Sequence, residues 1–167
     1  CKIKIKARIM RICISSFFFF TIVFSQNIGS KKAVDLVLDN LHLYASQASG
    51  KKYIDLFSDD AVFFGTDISE RWPKDDFQAY AMARFKTGTG WTYYMKERNI
   101  YFSDDGRTAW FDEILINKNY GDFRGTGALK IVNDEWKITQ YNLLLPIPND
   151  LLKKYSKEIK EYYKKTN

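Results

Sequence analysis

The sequence predicts an α+β domain in which helices precede a meander of antiparallel strands. Between Ser30 and Phe85 the apolar residues recur mainly at helical spacing, whereas from Trp91 to Leu145 they form long segments separated by short turns. Those turns contain the Asn, Asp and Gly residues that hairpins favour. Helices followed by a run of strands indicate a single sheet with its helices on one face.

Residues 1–25 have the composition of an export signal. They contain five basic residues and no acidic residue, and they include an apolar segment from Ile12 to Phe24. That segment is shorter than the roughly 20 residues of a membrane-spanning helix. We predict a cleaved signal peptide (1–25), with an uncleaved anchor as the alternative. The mature domain (26–150) is then periplasmic or extracellular, with no stable membrane insertion after cleavage.

The net charge of +6 comes from the two ends of the chain. Residues 1–25 contribute +5 and the Lys-rich tail (151–167) contributes +4, which leaves −3 for residues 26–150. Because the domain has no basic stripe, we expect no nucleic-acid partner. Both cysteines, Cys1 and Cys13, lie in the predicted signal, so the mature domain has no thiol for a disulfide, a nucleophile or a metal site.

The first helix is predicted from Ser30 to Ser49, with Ser30 as its N-cap. Its apolar stripe follows the i, i+3, i+4, i+7 pattern of a helix packed on a core. The stripe consists of Val34, Val37, Leu38, Leu41, Tyr44, Ala45 and Ala48. A short second helix over residues 51–57, a break at Ser58-Asp59-Asp60 and a short strand over residues 61–65 are expected next.

A polar turn joins that strand to the third helix, which is predicted to start at Pro73 and to end near Phe85. Asp67 and Glu70 lie in this turn, and two interpretations of them stay open. They are acids at the rim of a pocket, or they complement the positive N-terminal end of the helix. Trp72 is predicted to cover the pocket as a lid.

Four long strands are predicted over residues 91–102, 107–117, 122–132 and 135–145. With Asp105-Gly106 as the first turn, three cross-strand pairs follow, which are Arg98 with Glu113, Asn99 with Asp112 and Tyr101 with Trp110. We expect the Arg98–Glu113 pair to be an exposed salt bridge. The opposite face is aromatic with a few polar groups, as ligand pockets are, and is predicted to line the pocket.

The last hairpin has a second predicted register. With Asn133-Asp134 as the turn, Leu129 lies opposite Ile138 and Ile131 opposite Trp136, on an apolar core face. The other face is predicted to hold Arg124, Thr126, Lys130, Lys137, Thr139 and Tyr141. The length of the preceding turn is ambiguous, so the sequence does not decide whether Arg124 shares a face with Asp112 or with Glu113. The tail after this hairpin is predicted to be helical.

A set of short motifs is distributed along the chain. They are Gly65-Thr66-Asp67, Glu70-Arg71-Trp72, Gly90-Trp91, Ala109-Trp110-Phe111-Asp112, Arg124-Gly125-Thr126-Gly127, Trp136-Lys137-Ile138 with Tyr141, and Ile147-Pro148-Asn149-Asp150. Together they resemble the SnoaL-like branch of the nuclear transport factor 2-like superfamily over about residues 33–150. The resemblance implies a cone-like fold, in which N-terminal helices pack on a curved antiparallel sheet and enclose a pocket. It also implies a possible homodimer through the outer sheet face.

The superfamily includes polyketide cyclases, ketosteroid isomerases, dehydratases and members with no enzymatic role. Asp112 is the candidate catalytic residue, because desolvation on an aromatic face would raise its pKa and make it a base. The alternative is structural, with Asp112 paired to Arg124 or hydrogen-bonded to Asn99. Arg124 in turn would bind a ligand carboxylate or only form a salt bridge.

The remaining candidates are aromatic residues that would stack on a flat ligand or merely pack in the core. The full predicted ligand-binding set is Asp67, Glu70, Trp72, Trp91, Trp110, Arg124 and Tyr141. The single histidine, His42, is expected to be a surface or hydrogen-bonded core residue, and neither a metal nor a cofactor is expected. The sequence therefore favours an exported protein that binds a small, partly apolar molecule, with an acid–base isomerase, cyclase or dehydratase as the alternative.

Overall fold

A computed structural model of the protein describes residues 30–166, so the predicted signal peptide lies outside the described residues. The described chain forms four helices and six strands. In chain order they are α1 (Lys31–Ser46), α2 (Gly50–Ile54), β1 (Phe57–Phe64), β2 (Arg71–Pro73), α3 (Lys74–Phe85), β3 (Tyr94–Phe102), β4 (Thr108–Asn117), β5 (Gly121–Val132), β6 (Glu135–Leu144) and α4 (Asn149–Thr166).

The six strands form one curved, unclosed sheet in the order β2-β1-β6-β5-β4-β3. Strands β3 to β6 are the predicted antiparallel meander, and β1 joins its far edge parallel to β6. The predicted α+β class, with helices packed on a curved sheet, is therefore confirmed. None of the helices within residues 30–166 is long and apolar enough to cross a membrane.

The core lies between the helices and one face of the sheet, called here the inner face. Helix α1 begins as predicted, because the side chain of Ser30 accepts a hydrogen bond from the backbone N–H of Ala33 at 3.3 Å. Helix α3 buries Phe77, Ala81 and Phe85 as its inner stripe. Each large apolar side chain buried in this way stabilises the fold by roughly 1.5–3 kcal/mol.

The predicted break at Ser58-Asp59-Asp60 is wrong, because these residues lie within β1. Asp59 and Asp60 are exposed and form ion pairs with Lys74 and Lys130. The register of β1 on β6 is irregular between Phe57 and Val62, which lets both consecutive acids be exposed while Ser58 is buried. The short edge strand β2 was not predicted, and it pairs antiparallel with β1 through Trp72 and Phe63.

The predicted β3–β4 register is confirmed, but its two faces are exchanged. Arg98 pairs with Glu113, Asn99 with Asp112 and Tyr101 with Trp110. The inner face, however, is the one that contains Glu113, which is 1% exposed, whereas Trp110 is 48% exposed on the outer face. The expectations of an exposed Arg98–Glu113 salt bridge and of a pocket lined by Tyr101 and Trp110 are therefore wrong.

The β5–β6 register is confirmed near the turn, where Leu129 pairs with Ile138 and Ile131 pairs with Trp136. An irregularity between Ala128 and Leu129 then shifts the pairing, so that Tyr141 lies opposite Gly127. The shift moves Tyr141 to the inner face, where it is buried. Arg124 stays on the outer face, so the prediction that Tyr141 and Arg124 share a face is wrong.

Candidate functional site

A cavity of about 440 Å³ opens between the helices and the inner face of the sheet. This volume lies within the range of small-molecule sites in proteins. Most of its lining side chains are apolar or aromatic, and the polar groups among them are few. Those that matter for chemistry are His42, Glu70, Arg84 and Tyr141.

One wall of the cavity is a series of stacked aromatic rings. The ring of Tyr80 lies between Trp72, at 4.7 Å, and Trp91, at 5.8 Å between centroids. The guanidinium of Arg84 lies 5.0 Å from the Trp91 ring, within cation–π range. Tyr80 is 42% exposed, so it reaches the solvent as well as the cavity. This wall offers flat, polarisable surface to a ligand.

The polar floor of the cavity is organised around Glu113, which lies behind His42 and Tyr141. Its Oε1 atom accepts hydrogen bonds from His42 Nε2, at 3.0 Å, and from the Tyr141 hydroxyl, at 2.9 Å. Its Oε2 atom accepts one from Arg98 Nε at 2.9 Å. Arg98 Nη2 is also 2.9 Å from Oε2, but it makes no hydrogen bond, so that contact is ionic only.

The same network connects the sheet to α1. Arg98 Nη1 donates to Asp39 Oδ1, at 2.8 Å, and to the Oδ1 and backbone carbonyl of Asp35, both at 3.3 Å. Asp35, Asp39 and His42 follow i, i+4, i+7 spacing, so all three project from one side of the helix. Helix α1 is therefore held on the sheet by charges as well as by apolar contacts.

The network determines the protonation of Glu113. Burial raises the pKa of this carboxyl, but the hydrogen bond from His42, the charge that His42 carries when protonated and the charge of Arg98 outweigh burial, so the pKa falls below its ordinary value. Burial, followed by the neighbouring Glu113 charge, raises the pKa of Tyr141 well above 10. At neutral pH Glu113 is therefore an anion and Tyr141 a neutral hydroxyl that donates to it.

Gly125 leaves the space that this network needs. A Cβ atom at position 125 would lie 2.6 Å from the Tyr141 hydroxyl and 2.8 Å from Glu113 Oε1. Both distances are shorter than side-chain atoms tolerate, and the Glu113 carboxylate is already held by Arg98, His42 and the Tyr141 hydroxyl. The packing of the cavity floor therefore requires a glycine at position 125 of the Arg124-Gly125-Thr126-Gly127 motif.

Four of the eight predicted site residues line the cavity, which are Glu70, Trp72, Trp91 and Tyr141. Asp67 does not line it, and it accepts hydrogen bonds from the backbone N–H and hydroxyl of Ser69 at 2.8 and 2.6 Å. Glu70 accepts one from the backbone N–H of Asp67 at 3.1 Å. These bonds stabilise the turn itself, whereas the acids in the first turn of α3 are Asp75 and Asp76.

The other three, Trp110, Asp112 and Arg124, lie on the outer face, so the expectation that they face the pocket is wrong. Asp112 accepts a hydrogen bond from Asn99 Nδ2 at 3.1 Å, which is one of its two structural alternatives. Arg124 is exposed opposite Ile114, and within residues 30–166 no ion pair joins it to Asp112. The candidate base therefore lies on the wrong side of the sheet for chemistry in the cavity.

Sequence reasoning missed Glu113 and His42 as site residues. Alternation places Glu113 on the same face of β4 as Ala109, Phe111 and Leu115, but the other face is apolar as well, so this signal was only partial. The aromatic pair Tyr101 and Trp110 obscured it, because exposed aromatic residues imitate a pocket lining. In the described part of the chain, no group of three His, Cys, Asp or Glu residues is arranged to hold a metal ion.

Comparison with known proteins agrees with this architecture. Residues 34–148 match the family model described as the SnoaL-like domain. No curated protein matches the chain. Many solved structures do, and their low identity means that the likeness concerns the fold.

Three of these structures serve as examples of proteins that share the fold. An NTF2-like protein of unknown function from Pseudomonas putida KT2440 is 11% identical, with a TM-score of 0.59 over 71% of this chain and 88% of that one. A protein named "Putative Scytalone Dehydratase" from Novosphingobium aromaticivorans DSM 12444 is 13% identical, with a TM-score of 0.60 over 73% and 87%. A "putative aromatic ring hydroxylase" from Novosphingobium aromaticivorans is 17% identical, with a TM-score of 0.58 over 70% and 89%.

Proposed function

The chain belongs to the SnoaL-like domain family, and on that premise we propose that it binds a small, partly apolar molecule in the cavity. The observation that carries the proposal is the pairing of an aromatic wall with a polar floor. Tyr80 and its tryptophan neighbours supply area for a flat ligand, while His42 and Tyr141 supply a few directional polar contacts. From residues 1–25, we further propose that binding takes place outside the cytoplasm.

Retention of a molecule by the purified protein tests the proposal. We expect native mass spectrometry of protein purified from its own host to detect a small molecule of constant mass bound to the folded chain. Tyr80→Ala should reduce the occupied fraction about tenfold, because it removes ring area from the cavity wall. Tyr80 is partly exposed, so the fold should survive, as circular dichroism will show.

Tyr101→Ala is the matched control. Tyr101 is also an exposed tyrosine stacked on a tryptophan, but it lies on the outer face against Trp110. Occupancy should therefore stay at the unmodified level in this variant. Equal losses in both variants, or no bound molecule in the unmodified protein, would contradict the proposal.

A second candidate function is acid–base catalysis on the bound molecule, and the contact between His42 and Glu113 favours it. Because the ionised Glu113 can only accept, His42 Nε2 must donate, and in the neutral form of the imidazole Nδ1 then carries the lone pair that accepts a proton. A histidine oriented by a buried carboxylate is suited to remove a proton from carbon. His42, not Asp112, is therefore the proposed base.

Isotope exchange separates the two functions. If His42 acts as a base, the retained molecule should gain deuterium when it is incubated with the protein in D₂O, as followed by mass spectrometry. His42→Gln should keep a hydrogen bond to Glu113 and keep the molecule bound, but lose the exchange by at least about a hundredfold. Binding without exchange in the unmodified protein would leave a binding function only.

A further inference from the structure

We propose that α4 is an interfacial helix that binds the surface of anionic membranes while the domain remains in water. The helix covers Asn149–Thr166 and is the last element of the described chain. This inference does not depend on a ligand in the cavity. It rests on the distribution of apolar and charged residues around α4 and on how little of its apolar side the domain covers.

The residue spacing makes α4 strongly amphipathic. Leu152, Tyr155 and Ile159 recur at three- and four-residue intervals, so they project from one side of the helix. Four lysines also recur at that interval and form a stripe along the helix, called here the lysine stripe. It consists of Lys153, Lys157, Lys160 and Lys164. An apolar side flanked by lysines is the arrangement of helices that lie in a membrane interface.

The apolar side of α4 is largely open to solvent. Leu152 is 51% exposed and Ile159 is 44% exposed, which is unusual for residues on the apolar side of a helix that packs on its own domain. Helix α4 also makes a polar contact with the domain, because the Tyr163 hydroxyl donates a hydrogen bond to Asp67 Oδ2 at 3.4 Å. The helix therefore presents its leucine and isoleucine side chains outward.

The distribution of charge along the chain favours an anionic lipid surface as the partner of α4. Residues 151–167 carry a net charge of +4, whereas residues 26–150 carry −3. An anionic surface would attract the helix and repel the domain, so the molecule would approach with α4 first. At the interface, the acyl region would take Leu152 and Ile159 while the lysine stems extend to the phosphates.

Binding to lipid vesicles tests the proposal. The protein should begin at Gln26, because this chain keeps every described element but lacks residues 1–25, which could bind lipid themselves. Co-sedimentation should show binding to vesicles of phosphatidylcholine mixed with phosphatidylglycerol and little binding to phosphatidylcholine alone. Added NaCl should weaken the binding, because salt screens the attraction.

Two variants identify the helix as the binding element. Replacing the four residues of the lysine stripe with Gln should lower the partition coefficient by on the order of a hundredfold. The matched control replaces four exposed lysines of the domain with Gln and should bind as well as the unmodified protein. Those control positions are Lys31, Lys32, Lys86 and Lys118. Leu152→Ser combined with Ile159→Ser should also abolish binding, and circular dichroism should show both variants folded.

Several outcomes would overturn the proposal. These are equal binding to both kinds of vesicle, equal losses in the stripe variant and its control, or no binding at all.

Sedimentation velocity would show whether a second copy of the chain covers α4 instead. In that case Leu152→Ser with Ile159→Ser would convert a dimer to a monomer in sedimentation velocity, and the unmodified protein would not bind vesicles.

Discussion

Replacing Glu113 with Gln is expected to lower the free energy of unfolding by about 3–5 kcal/mol. The substitution keeps the shape of the side chain but removes the charge that faces the buried guanidinium of Arg98. Arg98 would retain its ion pairs with Asp35 and Asp39 of α1, but both of these aspartates are partly solvent-accessible. Urea denaturation at neutral pH measures the loss.

The same variant should change how stability depends on pH. The folded-state pKa of Glu113 lies below its ordinary value of 4.5, so its stabilising contribution is complete above that value. That contribution is lost as the pH falls through the folded-state pKa. The unmodified protein should therefore lose stability below about pH 4.5 more steeply than Glu113→Gln does.

Glu97→Gln is the control for this prediction, because it makes the same chemical change on the adjacent strand β3 at an exposed position. It should cost less than about 0.5 kcal/mol, as most surface substitutions do. Its stability should follow that of the unmodified protein in parallel across the acid range. A Glu113→Gln variant that behaves in the same way would show that the buried network contributes little to the fold.

Gly125→Ala is expected to destabilise the protein by about 1–3 kcal/mol, because the new methyl group overlaps the Tyr141 hydroxyl and Glu113 Oε1. The network cannot yield easily, since Arg98 and His42 hold the carboxylate from other sides. Ala128→Val, on the same strand but on the outer face opposite Trp110, is the control and should have little effect. Thermal or urea denaturation compares the two.

A double-mutant cycle locates the clash. Tyr141→Phe removes the hydroxyl that lies 2.6 Å from the added Cβ, so Gly125→Ala should cost less in that background than in the unmodified protein. Additive costs would place the strain elsewhere on β5. The cycle therefore tests whether the glycine is present to make room for the Tyr141–Glu113 hydrogen bond.

The buried network links stability to the proposed function. Glu113 is ionised and holds both polar groups of the cavity floor that a ligand could contact, His42 and Tyr141. Arg98 balances the charge of that carboxylate and, through Asp35 and Asp39, keeps α1 over the cavity. Changes to this network should therefore alter the fold and the floor of the cavity together, whereas changes to Tyr80 affect the wall alone.

The sequence by itself determined the features that depend on neighbouring residues. Helical spacing identified α1 and α3, and the Asp105-Gly106 and Asn133-Asp134 turns set the registers of the two hairpins that they close. These properties are local, because a short turn brings known residues opposite one another. The motifs along the chain similarly identified the family that the match over residues 34–148 supports.

Only the tertiary structure decided which face of the sheet the helices cover. Alternation along β4 separates Asp112 from Glu113 but does not say which of the two is buried. In the structure, helices α1 and α3 cover the face of the sheet that contains Glu113. The irregularity at Ala128 and Leu129 then brings Tyr141 to the same side. Because successive side chains on a strand point to opposite faces, a choice made by distant packing moved the candidate site by one residue, from the half-buried, outward-facing Asp112 to the buried, paired Glu113.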